Sequence, residues 1–422
     1  MSTVRKALVI GGGLAGPAAA MALARTGIEP VIYEARGEGA PVRGGGFNIA
    51  TNGLDALTAL DALAATRGLG LPAPRLAFYG RGGKPLGTVA TGLPAPGAQD
   101  TTSFKRADLF AALQAEAARR GIVTEYGKRL AGLDQDAGSV TARFADGSSA
   151  TGDILIGADG IHSAVRPAID AAAPQPRYTG LVSFGGFAPN PGLDPEPGLW
   201  KMAFGRRAFF GWFVPDQAQA WWFVSMPSRQ PLTREQILSE GTAAWSGRLA
   251  ALFEGERVPA APIIAAQGQD IIVVGAEHDL PEVPTWHRDR VIIIGDAAHA
   301  ASTSSGQGAS MALEDAVTLG RCLRDIPGPG EAFTAFEWLR RDRVRKVVAL
   351  GAKTASSKAV GPAGAIIRDA MMQVGFRFFY KPESAAWLLR HHTGWDEPAT
   401  SQPAPRDTKP QDASSRPAAV ER

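Results

Sequence analysis

The chain has 422 residues, 45% hydrophobic and 20% charged, with a formal net charge of +3. Its length supports a large core divided between two domains, and its 44 Lys and Arg are scattered among 41 acids, which excludes the basic stripe of a nucleic-acid-binding protein. The one cysteine, Cys322, excludes a disulfide framework and fits a cytoplasmic setting, and no run of 18 apolar residues is present to span a membrane.

Residues 7–10 form a short apolar run, as expected of a buried parallel strand. It breaks at Gly11-Gly12-Gly13-Leu14-Ala15-Gly16, and Leu14 to Arg25 reads as an Ala-rich helix with Pro17 in its opening turn. Gly11 permits a tight turn, Gly13 lets the backbone approach a pyrophosphate, and Gly16 lets the helix pack closely on its strand. The helix N-terminus adds N–H groups and partial positive charge for phosphates. A second apolar run, 30–33, ends at Glu34, close to the ~20-residue spacing expected of the acid that binds ribose hydroxyls. A carboxylate there favours FAD or NAD over NADP; Ala35 and Arg36 follow it as further candidate contacts. The glycines alone are also compatible with a helix start that holds no ligand. Arg5 and Lys6 before this stretch imitate a signal peptide, but three glycines and Pro17 interrupt its core.

Arg43 opens a Gly-rich loop to Asn48, and a helix is expected over 53–65. Residues 76–102 turn to Gly/Pro-rich pieces before Arg106 to Arg120 resumes helical spacing, and Asp146-Gly147 marks a hairpin. Residues 153–157 read as a strand whose turn presents Asp159, or as a plain Asp-Gly turn. The aromatic centre, 177–284, suggests a mainly antiparallel sheet, with a helix over 232–253. Strand 290–295 presents Asp296 at its carboxyl end, where open α/β sheets place ligands. Gly306, Gln307, Gly308 and Ala309 then open a helix whose N–H groups are placed to face the pyrimidine end of a flavin. Helices are expected over 330–352 and around 363–390. The basic stretch Arg340 to Lys346 reads as a solvated helix face, with anion or phosphate contact the alternative, and His299 as structural.

The fold expected is α/β: a Rossmann-like FAD-binding domain with an inserted, mainly antiparallel β-sheet substrate domain and C-terminal helices. The FAD-binding domain takes 1–75, 103–176 and 285–360, and the substrate domain 76–102 and 177–284. A helical segment, 361–397, and a disordered tail, 398–422, complete the plan.

Gly11-x-Gly13-x-x-Gly16 with Glu34, then Arg106, Asp159-Gly160, Gly295-Asp296-Ala-Ala-His299, Gly306-Gln307-Gly308 and Glu314-Asp315 occur in this order. Together they resemble the single-component FAD-dependent aromatic hydroxylases of the para-hydroxybenzoate hydroxylase type, the class A flavoprotein monooxygenases, as far as about residue 350. The resemblance implies that Glu34 binds the adenosine ribose and that Arg106 lies near the diphosphate. It also implies that Asp159 sits where nucleotide cofactors meet and that Asp296 contacts the ribityl–phosphate region. The family's proline between the His and the Gly-Gln-Gly is absent here, where 300–305 read Ala-Ala-Ser-Thr-Ser-Ser.

The implied activity is a monooxygenase cycle: NADPH or NADH, bound transiently, reduces FAD, and O2 passes one oxygen to a substrate through a flavin C4a-hydroperoxide. The substrate expected is aromatic or polyketide-like, met between the FAD domain and the aromatic sheet. Trp200, Phe209, Phe210, Trp212 and Trp222 are candidate walls, though aromatics at strand spacing are often core. No paired carboxylates or metal-ligand spacing competes for the chemistry, so no metal is expected, and the chain is expected as a monomer or homodimer without nucleic-acid or membrane partners. Baeyer–Villiger insertion, epoxidation or dehydrogenation on the same fold remain open, as does a flavin-fold protein that only binds or sequesters a small molecule.

Overall fold

The computed structural model describes residues 4–42, 44–356, 358 and 362–399. Arg43 and all of the expected tail beyond Ala399 lie outside the described residues.

Two sheets organise the chain. The first has six strands in the order 287–288, 291–293, 154–157, 6–10, 29–34, 123–126, parallel except at the 287–288 edge. Its central strands are fully buried at Leu8, Val9, Ile32, Ile154 to Ile156 and Val291 to Ile293, which is why they read as unbroken apolar runs. Helix Ala15–Arg25 crosses helix Gly308–Asp325 closely: a Cβ on Gly320 would lie 2.8 Å from the Ala22 Cβ.

The second sheet has seven strands in the order 272–279, 177–189, 219–227, 209–213, 199–204, 75–79, 85–90, antiparallel except where 199–204 meets 75–79. Period-2 alternation sends successive side chains to opposite faces. On one face Val182, Phe184, Phe210, Trp212, Trp222 and Val224 pack under three helices, Arg234–Ser239, Thr242–Ala251 and Ala260–Gln267. The other face carries Phe187, Trp200, Phe209, Phe213, Trp221 and Phe223 and meets the nucleotide side of the molecule. A small antiparallel sheet of 46–49, 102–105 and 70–72 lies at that junction.

Three helix expectations change, the one around 363–390 among them, since its α-helix ends at Val374 and short helical turns follow to Leu389. The one over 232–253 is two helices, because Gly241 takes φ +87° between them and Thr233 starts the first with a capping box. The one over 53–65 stops as an α-helix at Ala59 and continues as a 3-10 turn over 63–66, with Asp61 at φ +55° between. Toward the C-terminus, helix Pro329–Ser356 precedes helix Pro362–Val374, which packs on the outer strands of the second sheet through Met372, with Phe376 just beyond its end stacked on Phe78. Leu388 and Leu389, by contrast, join the core of the nucleotide sheet.

Candidate functional site: a dinucleotide cleft against an aromatic sheet

The turns at Gly11, Asp159 and Asp296 and the acid Glu34 all lie at the carboxyl edge of the parallel sheet. Strand 6–10 lies between 154–157 and 29–34, so Gly11, Ala158 and Glu34 end neighbouring strands. Gly11 has φ +108°, and a Cβ there would lie 2.5 Å from the Ala158 carbonyl oxygen. A Cβ on Gly16 would stand 1.9 Å from the Gly11 carbonyl oxygen, so helix and strand touch backbone to backbone. Gly13 differs, since a Cβ would meet only the Phe110 ring at 3.8 Å. Its open side, with the start of helix 15–25, where no side chain caps the N–H groups, is a cradle of the kind a diphosphate fills.

Glu34 is held by its surroundings. Its Oε2 accepts the Gly12 N–H at 2.7 Å, and its Oε1 accepts the Arg36 N–H and Nε–H, both at 2.9 Å. Burial pushes this carboxyl up, but Arg36 and Gly12 outweigh it and hold it below the usual range. Arg106, at the start of helix Arg106–Arg119, reaches over Phe47 and Phe110 and fills the space a Cβ on Gly44 would need. Its guanidinium acts electrostatically on Asp296, across the cleft. Asp296 is exposed to the cleft yet closely walled, and that crowding pushes its carboxyl up while His299 and Arg106 draw it down. A Cβ on Gly308 would lie 3.7 Å from Asp296 Oδ1, so Asp296 faces the start of helix Gly308–Asp325, which also has no side-chain cap. The left-handed position in this turn is Gly306 at φ +62°; Gly308 starts the helix without positive φ, so any backbone requirement falls on Gly306.

Asp159 is turned inward. Its Oδ2 accepts the Ala164 and Val165 N–H groups at 2.7 and 3.2 Å, while its Oδ1 is buried without a partner among the described residues. Oδ2 thereby braces the 160–165 turn beside Gly11.

The basic stretch is corrected at Arg340 and Arg343, while Asp342, Arg345 and Lys346 are exposed. Arg340 is 1% exposed: its Nε donates to Asp315 Oδ1 at 2.7 Å and its Nη1 to Glu314 Oε2 at 2.6 Å. Arg343 donates to both Glu314 oxygens, and Asn52 to Glu314 Oε1 at 2.6 Å and Gln307 Oε1 at 3.0 Å. Asp315 Oδ2 accepts the Gly295 N–H at 2.8 Å and lies 2.6 Å from His299 Nε2. Burial alone would raise both acids; Arg340 and Arg343 for Glu314, and His299 and Arg340 for Asp315, bring each down to about 2. This buried network fixes the turn that presents Asp296 and the one that presents Gln307. Glu314, Asp315 and Arg340 were visible in the sequence, but nothing local paired them, since the arginine arrives from another helix.

The candidate walls divide by strand parity. Phe210, Trp212 and Trp222 point to the helix-covered face, with Trp222 Nε1 donating to Gln267 Oε1 at 3.0 Å, so they are core and not substrate wall. Trp200 and Phe209 are on the cleft face, where Trp200 Nε1 donates to Ser103 Oγ at 2.8 Å. Phe187, Trp221 and Phe223 share that face and were not among the candidate walls, although Trp221 and Phe223 stand one position either side of Trp222. The face reaches the cofactor side at two points. A Cβ on Gly46 would lie 2.6 Å from Trp221, and Thr303 Oγ1 donates to Glu277 Oε2 at 2.7 Å. Thr303 belongs to the turn where the proline is missing; hydroxyls brace it instead, Ser302 accepting the Ser304 N–H and Ser305 the Gln307 N–H.

A cleft that brings a held carboxylate, open glycine backbone and two uncapped helix starts to one edge of the parallel sheet fits FAD. Residues 5–191 and 277–348 match the family model of the FAD binding domain. The FAD-dependent urate hydroxylase of Klebsiella pneumoniae is 31% identical over 348 residues, covering 81% of this chain and 88% of that protein. The salicylate hydroxylase of Pseudomonas putida is 29% identical over 80% of this chain and 82% of its own. The solved structure of Klebsiella pneumoniae HpxO complexed with FAD and uric acid superposes with a TM-score of 0.77 at 28% identity, covering 89% of this chain and 95% of that one. The chain therefore belongs to the class A FAD-dependent aromatic hydroxylases and is an FAD-dependent monooxygenase. NAD(P)H use is typical of this family. No helix among the described residues is long and apolar enough to cross a membrane.

Proposed function

We propose that the chain hydroxylates a planar aromatic small molecule held between the cofactor cleft and the Phe187–Trp221–Phe223 face, using NADPH or NADH as transient reductant and O2 as oxygen source. The observation that carries this reading is the Thr303–Glu277 hydrogen bond, which joins the turn before Gly306-Gln307-Gly308 directly to the aromatic sheet. FAD, bound without a covalent link, supplies the redox chemistry and oxygen activation. Gly11, Gly13, Leu14, Ala15 and Gly16 would cradle its diphosphate with Arg106, and Glu34, Ala35 and Arg36 would hold the adenosine ribose. Asp296 would meet the ribityl chain, and Gly306 to Ala309 would offer N–H groups to the flavin's pyrimidine edge, where reduction places negative charge. Arg43, outside the described residues, is carried as a cofactor contact on its sequence position alone. The aromatic face excludes water from the reacting centre and orients the ring. Each chain carries its own site, so a monomer or homodimer in the cytoplasm would serve.

Purified protein should be yellow, oxidise NADPH or NADH, and convert a substrate from a panel of phenols, hydroxylated heteroaromatics and polycyclic phenols to a product one oxygen atom heavier, the atom coming from labelled O2. Products showing ring expansion, an epoxide or loss of hydrogen would replace hydroxylation by another flavin reaction. FAD binding without oxidation of either nicotinamide, whatever the ligand, would favour a sequestering protein.

A further inference from the structure

Helix Pro362–Val374 and the helical turn Gly375–Phe379 after it lie on the outer strands of the second sheet with their polarity reversed. A helix at a protein surface normally sends its apolar stripe inward and its charges to water. Here the charged residues of the helix, Arg368 and Asp369, turn to the sheet. Arg368 lies over Phe204 at 4.1 Å and pairs with Asp369, whose Oδ2 accepts the Arg81 N–H at 3.0 Å. Met372 and Phe376 pack with Leu86, Phe204 and Phe209, and the Tyr380 hydroxyl accepts the Ala90 N–H at 2.8 Å. Gly87 makes room for this, since a Cβ there would lie 2.5 Å from Phe376 Cβ. The segment is anchored by its inner face, and that anchorage fixes what its outer face presents.

That outer face is apolar. Val374 is 49% exposed and Phe379 76%, with Ile366, Ile367, Met371 and Phe378 between these values. Side chains of this size, so exposed, present together roughly 700 Å² of apolar surface, above the ~300–600 Å² of the largest patch on an ordinary monomer and close to the ~800 Å² that each partner gives a standard interface. The residues beyond Ala399 are poor cover, because Val420 is their only large aliphatic side chain. A helix that lies on anionic lipid carries Lys and Arg beside its apolar stripe, whereas the one cation of Pro362–Val374 is Arg368, paired on the inner side. The spacing of the face is self-complementary. Ile367, Met371, Val374 and Phe378 follow at intervals of four, three and four, the seam by which helices pair, and that pattern is the same in either chain direction.

We propose that this face is the interface of a two-fold homodimer, in which the segment 362–379 packs antiparallel on the same segment of a second copy of the chain. A two-fold axis between Met371 and Val374 sets Ile367 of each copy against Phe378 of the other, and Met371 against Val374. One patch then serves as both halves of the contact, and the assembly closes at two chains. The flavin cleft, at the carboxyl edge of the parallel sheet, takes no part in this contact, so the dimer is independent of the reaction each chain carries out.

The test is sedimentation velocity of the full FAD-loaded chain over a range of concentrations. Wild type should be a dimer with a dissociation constant of about 1 µM or tighter. I367E/M371E puts unpaired carboxylates on the seam and should raise that constant about a hundredfold or more, with FAD content and NAD(P)H oxidation at wild-type levels. V123E, on a comparably exposed valine of the parallel sheet, should leave the dimer intact. A reading that disrupts nothing comes from M371C, which a short bismaleimide should join into a covalent dimer, Cys322 being buried. The proposal is overturned if wild type sediments as a monomer at about 50 µM, a concentration that would dimerise a micromolar interface. It is overturned equally if I367E/M371E remains dimeric or M371C fails to cross-link. Monomeric wild type that co-sediments with phosphatidylglycerol vesicles, when I367E/M371E does not, would assign the face to a lipid surface instead.

Discussion

Replacing Arg340 with methionine removes the guanidinium at the centre of the buried network while keeping much of its volume. Two charged hydrogen bonds disappear, to Asp315 Oδ1 and Glu314 Oε2, with a weaker one to the Met311 carbonyl at 3.3 Å. Glu314 keeps Arg343 and Asn52, and Asp315 keeps His299 and the Gly295 N–H, so neither acid is stranded completely. The cost should fall at the lower end of the ~3–5 kcal/mol typical of breaking a buried pair. Urea unfolding, followed by circular dichroism, measures it. The acid limb gives a second reading. Both carboxyls sit at about 2 in the folded protein, below their usual 4.5 and 3.8. A lowered folded value means stability present above the unfolded pKa and lost as pH falls from ~4 through ~2. Without Arg340 the folded values rise, so the benefit shrinks and acid unfolding should begin at higher pH. FAD affinity should fall as well, because Asp315 fixes Gly295 and with it Asp296. A variant within about 1 kcal/mol of wild type, with an unmoved acid limb, would show that the network does not hold the turn.

Glu34→Ala should weaken FAD binding by ~1.5–3 kcal/mol through lost charge-assisted hydrogen bonds, and Glu34→Gln by less, as measured by flavin fluorescence on titration; equal affinity in both would remove Glu34 from the site. Gly308→Val brings a branched side chain toward Asp296 and should abolish FAD binding or slow NAD(P)H oxidation sharply, with far-UV circular dichroism retained. Gly16→Ala should instead prevent folding of the nucleotide domain, since its Cβ overlaps the Gly11 carbonyl; soluble, yellow protein would contradict that contact. Neighbouring tryptophan and phenylalanine should behave differently. Trp222→Ala empties the helix-side core and should cost ~3–5 kcal/mol, whereas Phe223→Ala should lose less stability but release more hydrogen peroxide per NAD(P)H oxidised, as the substrate is held less firmly.

The sequence by itself determined the nucleotide half. Gly11, Gly13, Gly16, Glu34, Asp296 and Gly306 are set by local rules of strand end, tight turn and helix start, and such rules act over a few residues that remain neighbours in space. Glu314-Asp315 stood out as well, but its partners Arg340 and Arg343 come from a separate helix, and a run of arginines on a helix gives no sign of which face is buried. The floor of the substrate side was less legible for a related reason. In an aromatic strand such as Gln219–Pro227 both faces are apolar, so alternation shows that there are two faces without showing which meets the cleft. Tertiary structure decided it: three helices took the face of Phe210, Trp212 and Trp222 and left the opposite face, with Trp221 against Gly46 and Glu277 bonded to Thr303, toward the nucleotide side. The meeting of Glu277 with Ser183 and Ser225 likewise required three strands of the second sheet to pair, and its bond to Thr303 exists only once that sheet is docked against the turn before Gly306.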